Sequence, residues 1–451
     1  MDLYDFLYIL NSVGKVCLII SACLFFYRFI FLIVAFIKDK PLKETKVFGK
    51  YAVLIPARNE SKVISKLLQS IQSQNYDKNL IDVYVVVESE DDPTVNIVKS
   101  FGYNYFVRKD MDNKRTKGYA LDEVVKDIYK KNLKYDAFFI FDADNVIQEN
   151  FITEMNKLYQ SGIEVGFAYR NSVNIHDSWI ATCTALLFSN MYTFQNKAKS
   201  KFYSHILISG TGYYISHTIL DKFQGFPFNS LTEDVECTRY CLLNNIKAKY
   251  ITSTQFYDEQ PNTIQALSNQ RLRWIKGFSN VGKKYNKKIA KTFFKKGSNK
   301  LAILENSLGI IPNMFFAATF IVYMLLTLGF GIFGLFCRMA VAELYLFNAL
   351  RAFLFYFLAI DIFTMLQLFA EKDYFRLSKK EVFATLIVNP FYIFSWINSY
   401  IKAFFTKDVK WTPIEHTAKE VIKEAPEENV SVETPAEAYF DEDLSIELDK
   451  K

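Results

Sequence analysis

The sequence is poor in the residues that metal, disulfide and redox scaffolds need. Of its 451 residues, only 6 are cysteine and 4 are histidine. Cys17, Cys23, Cys183, Cys237, Cys241 and Cys337 form no CxxC pair. Neither a zinc ribbon nor a disulfide framework is supported. Cys237 and Cys241 are spaced to share a helix face and read as small core hydrophobes. His176, His205, His217 and His416 are scattered, so no histidine-rich metal site is expected. With Gly 16 and Pro 10, collagen-like and low-complexity chains are excluded. Neither sign of charge dominates: 54 Lys+Arg against 48 Asp+Glu leaves +6, a balance that does not point to nucleic acid. What is abundant is apolar: 51% hydrophobic and 17% aromatic residues. Such a chain is not disordered throughout. Its length is about three domains' worth at about 150 residues each.

The apolar residues are unevenly spread. A helix needs about 20 of them in a row to cross a bilayer. Four runs qualify: 16–37, interrupted by Arg28; 306–337, without formal charge; 344–370, carrying Arg351 and Asp361; and 382–401, where Pro390 predicts a kink. No small-residue cleavage site follows the first run, which reads as an anchor, not a removed signal. Lys38, Lys40, Lys43 and Lys46 follow that run, eight lysines precede the second within 283–300, and Lys372, Arg376, Lys379 and Lys380 follow the third. The positive-inside rule then puts residues 38–305 in the cytoplasm, with the protein multi-pass in the cell membrane. Between 264 and 300, Ile275, Phe278, Ile289, Phe293 and Phe294 alternate with lysines. That pattern predicts amphipathic helices on an anionic inner leaflet. The expected organisation is an anchor (1–46), a soluble domain (47–263), interfacial helices (264–305), three membrane helices (306–406) and an acidic, disordered tail (407–451).

The soluble part alternates short apolar runs with helical periodicity. YAVLI (51–55), VYVVV (83–87) and AFFIF (137–141) read as strands buried on both faces, and 61–74, 94–99 and 121–129 as helices. This is an α/β fold with a mainly parallel sheet covered on both sides. Ligands in such sheets bind beyond the carboxyl ends of the strands.

Polar clusters sit at those ends: Pro56-Ala57-Arg58-Asn59-Glu60 after the first strand, Glu88-Ser89-Glu90-Asp91-Asp92 after the second, Asp142-Ala143-Asp144 after the third. Carboxylates there suit a divalent cation, which takes oxygen ligands and bridges phosphates. Downstream, Glu233-Asp234 lies at the start of a helix-like run. Asp234 reads either as a capping residue or as a general base. In Gln270-Arg271-Leu272-Arg273-Trp274, residues Gln270, Arg273 and Trp274 share a helix face. An amide, a guanidinium and an indole together suit an anionic leaving group beside a sugar ring; a membrane-interface anchor is the alternative.

The order PARNE, strand-end acid, KRTKGYAL, DAD, GTG, TED, QRLRW resembles family-2 glycosyltransferases of the membrane-embedded polysaccharide synthase type, the cellulose, poly-N-acetylglucosamine and hyaluronan synthases among them. The resemblance runs from about Tyr51 to Phe278. It implies a GT-A type nucleotide-sugar-binding domain and an inverting, metal-dependent transfer from a UDP-hexose or UDP-N-acetylhexosamine. By that resemblance Pro56, Ala57, Arg58, Glu60 and Glu88 line the uridine side, and Lys117 and Asp142 approach the nucleotide. Asp144, with Asp142, holds Mg²⁺ or Mn²⁺. Asp234 is the base. Gln270 and Arg273 steady the departing diphosphate. Gly210, Thr211, Glu233 and Trp274 face the acceptor. Glu88 stands where the family commonly has Asp. The implied partners are a UDP-sugar, a polysaccharide or lipid-linked acceptor, the bilayer, and an accessory membrane or export subunit or a second copy. A processive β-linked polysaccharide synthase is the leading expectation. A single-addition enzyme on a lipid acceptor is the alternative, and a catalytically silent membrane subunit a further one.

Overall fold

The computed structural model describes residues 28–407 except 113, 309, 310 and 341, together with residue 409 and isolated positions before 28. Most of the expected first span and nearly all of the expected acidic tail lie outside the described residues. Helix α1, Arg28–Ala35, belongs to the former.

Eight strands form one sheet: β1 (Tyr51–Pro56), β2 (Ile81–Val87), β3 (Asn104–Val107), β4 (Ala137–Ile140), β5 (Val146–Ile147), β6 (Val165–Ser172), β7 (Tyr213–Ser216) and β8 (Ala248–Asp258). Their order is β3-β2-β1-β4-β7-β6-β8-β5. The half that holds the three strands read from the sequence, β3-β2-β1-β4, is parallel throughout, and β3 is the strand that reading missed. Its apolar runs have no solvent face, because α2 (Ile64–Gln72), α3 (Thr94–Ser100), α4 (Lys117–Lys130) and α5 (Phe151–Gln160) cover the sheet. Ile64, Leu67, Leu68 and Ile71 of α2 and Leu121, Val124, Val125 and Ile128 of α4 are the buried stripes.

β7 is antiparallel to β4, with Tyr213 opposite Ile140. That reversal brings the start of β7, and the GTG loop before it, to the carboxyl end of β4 where DAD begins. β6 and β8 run parallel, so their carboxyl ends also meet, Ser172 opposite Asp258.

Beyond the first sheet strands come α6 (Trp179–Ser189), a π-helical turn (Asn190–Asn196), α7 (Lys197–Phe202), α8 (His217–Leu220) and α9 (Glu233–Leu243). The interfacial segment is one 30-residue helix, α10 (Ile264–Phe293), followed by α11 (Lys300–Leu308). Then come α12 (Ile311–Phe336), α13 (Ala342–Ala370), α14 (Lys372–Phe375), α15 (Lys379–Phe394) and α16 (Trp396–Phe405).

Among the described residues, two helical stretches are long and apolar enough to cross a membrane, Ala342–Ala370 and Lys379–Phe405. The described apolar part of α12, Val322–Phe336, is shorter. Leu354, Phe355, Leu358, Ile362 and Phe369 lie exposed along α13, a surface suited to lipid. On that helix Arg351 is exposed, and Asp361 is half-buried with one carboxylate oxygen unpartnered among the described residues.

Pro390 sits inside α15, and the helical stretch is interrupted further on, at Ser395. A proline removes one backbone donor. Arg271 of α10 engages the interruption itself: its guanidinium donates to Ser395 Oγ (2.7 Å) and lies 4.3 and 4.4 Å from the Tyr392 and Trp396 ring centres.

Candidate active site

A cavity of about 3120 Å³ opens beyond the carboxyl ends of the sheet and continues between the C-terminal helices. Every residue to which the resemblance gives a role in binding or catalysis lines it.

At the first rim, Pro56 and Ala57 continue the sheet edge, with the Ala57 N–H donating to the Val86 carbonyl (2.8 Å). Asp92 pins the turn by accepting from the Asn59 N–H (2.9 Å), and Thr94 Oγ1 accepts from the Glu60 N–H (3.0 Å). Asn59 is left-handed, φ 58°, which asparagine tolerates. Arg58 and Glu88 pair across the two strand ends at 2.9 Å.

At the centre, the Asp142 N–H donates to Thr211 Oγ1 (2.9 Å), and the Thr211 hydroxyl donates to Asn145 Oδ1. Asn145 donates to Asp144 Oδ1 (3.2 Å). The Thr211 hydroxyl is thus spent on shaping the DAD turn. Lys117 ties the two loops together, donating to Asp142 Oδ1 and to the Gly210 carbonyl (2.6 Å). It reaches them because α4 starts a full turn earlier than its apolar periodicity implies, with Lys117 as its first residue. Gly118 lets that turn seat: a Cβ there would lie 1.9 Å from the Phe228 carbonyl oxygen. Gly118→Ala is therefore expected to displace Lys117 and lower stability by about 1–3 kcal/mol. Thermal unfolding checks this.

Glu233 and Asp234 occupy the first turn of α9, where Asp234 Oδ1 accepts from the Val235 N–H (2.8 Å). A Cβ on Gly210 would stand 3.6 Å from Glu233 Oε1 and 3.7 Å from Asp234 Oδ2, so only a glycine's width separates the GTG loop from these carboxylates. Burial raises the pKa of both, and Lys117 pulls both back toward the ionised form. α10 brings the QRLRW turn alongside. Gly277, one turn past Arg273, packs so tightly that a Cβ would lie 2.3 Å from Thr232 Cγ2. Gln270 Oε1 is buried and unpartnered among the described residues. Trp274 stacks on Trp396 (6.4 Å, 23°) and meets Phe188 edge-on.

Two residues that the sequence reading passed over complete the centre. Arg170 of β6 donates from Nε to Asp258 Oδ2 (2.9 Å) and from Nη1 to Ser209 Oγ (2.6 Å). Its guanidinium lies 3.7 Å over the Phe188 ring. It favours the ionised form of Asp234. The signal for Asp258 was present, since Asp258-Glu259-Gln260 is another polar cluster at a strand end. Nothing local marks Arg170.

The donor set fits a divalent cation shared with a diphosphate. Asp142 and Asp144 offer hard oxygens, and among the described residues no group of three or more His, Cys, Asp or Glu could hold a metal alone. Two carboxylates with substrate phosphates are what Mg²⁺ typically takes.

The model of the family described as glycosyltransferase like family 2 matches residues 49–277. Over 384 residues the chain is 23% identical to the probable glycosyltransferase YdaM of Bacillus subtilis, covering 81% of this chain and 86% of that protein. It is 24% identical to the beta-monoglucosyldiacylglycerol synthase of Synechocystis (52% of this chain, 48% of that protein). It is 22% identical to the poly-beta-1,6-N-acetyl-D-glucosamine synthase of Staphylococcus epidermidis (54% and 59%). The chain thus spans about half the length of these last two. Among solved structures, the mannosyltransferase PcManGT of Pyrobaculum calidifontis, in complex with GDP-Man and Mn²⁺, superposes with a TM-score of 0.57 at 12% identity, over 88% of this chain and 100% of that one. The α/β domain is GT-A-like in fold. The matched segment is just over half of the chain and holds all the strands described above as well as the QRLRW turn, and the chain belongs to glycosyltransferase-like family 2.

Proposed function

We propose that the protein is an inverting glycosyltransferase that moves a sugar from a nucleoside diphosphate, UDP by preference, to an acceptor delivered from the membrane. The observation that carries this is a single cavity joining the strand-end carboxylates, Asp234 and QRLRW to an arm between the membrane-type helices, lined by Tyr356, Phe363, Phe394, Trp396 and Tyr400. Pro56 to Glu60 and Glu88 bound the nucleotide end. Lys117 and Asp142 hold the phosphate side, and Asp144 with Asp142 would hold Mg²⁺ or Mn²⁺, whose charge would offset that of the diphosphate.

The ionised Asp234 carboxylate accepts the proton of the acceptor hydroxyl as its oxygen attacks the anomeric carbon. The bond from that carbon to the diphosphate oxygen breaks on the opposite face, so the centre inverts. Arg273 and the amide N–H groups of Gln270 meet the leaving diphosphate. Trp274, backed by Trp396, offers the acceptor sugar a flat apolar face.

The aromatic lining of the arm favours a growing β-linked glycan, because sugar rings stack on such faces. Among the described residues no charged side chain lines that arm, which equally favours a lipid acceptor and keeps the single-addition reading alive. The two apolar helical stretches and the lysines at 38–46, 283–300 and 372–380 support a multi-pass protein of the cell membrane with its catalytic domain in the cytoplasm.

The test uses membranes carrying the full chain, Mg²⁺ or Mn²⁺, and radiolabelled UDP-glucose, UDP-N-acetylglucosamine and GDP-mannose. High-molecular-weight product from one UDP-sugar is the expected result and names the donor. Label confined to an organic extract establishes the lipid acceptor. Turnover with GDP-mannose alone overturns the UDP assignment. No turnover with any donor overturns the enzymatic reading of the isolated chain.

A further inference from the structure

A second arm of the cavity runs between α1, α7, α9, α10 and α11, and the transfer chemistry makes no use of it. Arg239, Lys199, His205 and Glu305 line it. Arg239 lies on α9 beyond Asp234, is 4% exposed, and leaves Nε and Nη1 unpartnered among the described residues. His205 is 6% exposed and leaves Nδ1 unpartnered. Lys199 is paired with Glu305 at 3.2 Å.

That arrangement is one positive charge too many. Glu305 balances one cation, and Lys199 already takes it. The guanidinium remains buried with two donors unmet, a costly state unless an anion belongs there. Burial and its two cationic neighbours, Lys199 and Arg239, push the His205 pKa down to about 3, so its ring is neutral and free to donate one N–H. Burial pulls Arg239 down to about 10, still charged at neutral pH. Lys283 and Lys287 of α10, both exposed, line the same cavity as Phe31 of α1 and Phe278 of α10. Such cations and apolar rings suit a phosphate that carries acyl chains.

We propose that Arg239, with His205 and Lys199, forms a binding site for a phosphate group at the membrane-facing side of the active-site cavity. The guanidinium offers the paired N–H donors that phosphate oxygens take. The phosphate comes from an anionic lipid headgroup or from a free phosphate.

The test reads binding, not transfer, so it is independent of the proposed reaction. The full-length protein in neutral detergent is melted with micelles carrying phosphatidylglycerol, with micelles carrying diacylglycerol, and with inorganic phosphate. Phosphatidylglycerol is expected to raise Tm by about 2 °C or more, and diacylglycerol is not. Arg239→Met, which removes the unpaired charge, is expected to fold at least as well without ligand and to lose at least half of the shift. Arg239→Gln carries the same expectation if Arg239→Met does not fold. An Arg239-dependent shift with inorganic phosphate as well identifies a site for free phosphate, and a shift confined to phosphatidylglycerol identifies a lipid headgroup. The proposal is overturned if neither phosphate source moves Tm, or if the Arg239 variants keep the full shift.

Discussion

Asp234→Asn is expected to slow transfer by about 10²–10⁴-fold, the typical worth of a general base, with little change in nucleotide binding. Asparagine keeps the shape of the side chain and can still accept from the Val235 N–H. It cannot take a proton from the acceptor. Donor binding rests on the strand ends, which the substitution does not touch. Single-turnover transfer with a labelled donor, alongside nucleotide titration, separates the two effects. Equal rates for variant and wild type would remove Asp234 from the base role.

The same residue sets the acid side of the pH profile. Burial raises its pKa, and Lys117 and Arg170 lower it only in part. A base works when ionised, so activity should fall as pH drops through the raised pKa. That limb should lie above the ordinary aspartate value of about 3.9. In stability terms the sign is opposite. A carboxylate whose folded pKa is raised contributes most below its unfolded pKa, and the contribution is lost as pH rises through the folded one. On the proposed mechanism, holding this buried carboxylate ionised costs the fold stability.

Arg170→Met is expected to destabilise the protein by about 3–5 kcal/mol, because it strips a buried carboxylate of its partner. Asp258 is 4% exposed and would keep only its bond from Gln260 Nε2 (2.7 Å). The double variant Arg170→Met/Asp258→Asn removes both charges and should recover more than half of that loss. The pair also has a functional readout. Arg170 favours the ionised form of Asp234, so the double variant should fold yet show its acid limb at higher pH than wild type. An unchanged limb would make Arg170 a packing residue only. Thermal unfolding and a pH series on the three proteins decide this.

How legible was all of this beforehand? Three of the four strands in the parallel half were, because strands covered on both faces have no polar side to interrupt their apolar runs; β3, at the edge and only partly buried, was not. The three strand-end clusters were legible for the same reason: a buried run ends where the chain turns polar, and those ends face one way. The QRLRW face follows from helical spacing alone. The start of α4 was misjudged by a turn. Lys117, Gly118 and Tyr119 carry no apolar stripe, and what fixes them is the approach of residues 228 and 229 against Gly118. The interruption at Ser395, five residues past Pro390, carries no local signal, and the Arg271 guanidinium that meets it comes from α10, distant in sequence.

The α/β class, the strand ends as the ligand side, and the chemical types available to the site follow from local periodicity and residue identity. The rest came from long-range packing. The reversal of β7 put GTG against DAD, the pairing of β6 with β8 set Arg170 on Asp258, and α7, α9 and α11 together left Arg239 sharing Glu305 with Lys199. The reason is physical: local pattern fixes which face of an element is buried, whereas which charges meet there depends on partners brought from far along the chain.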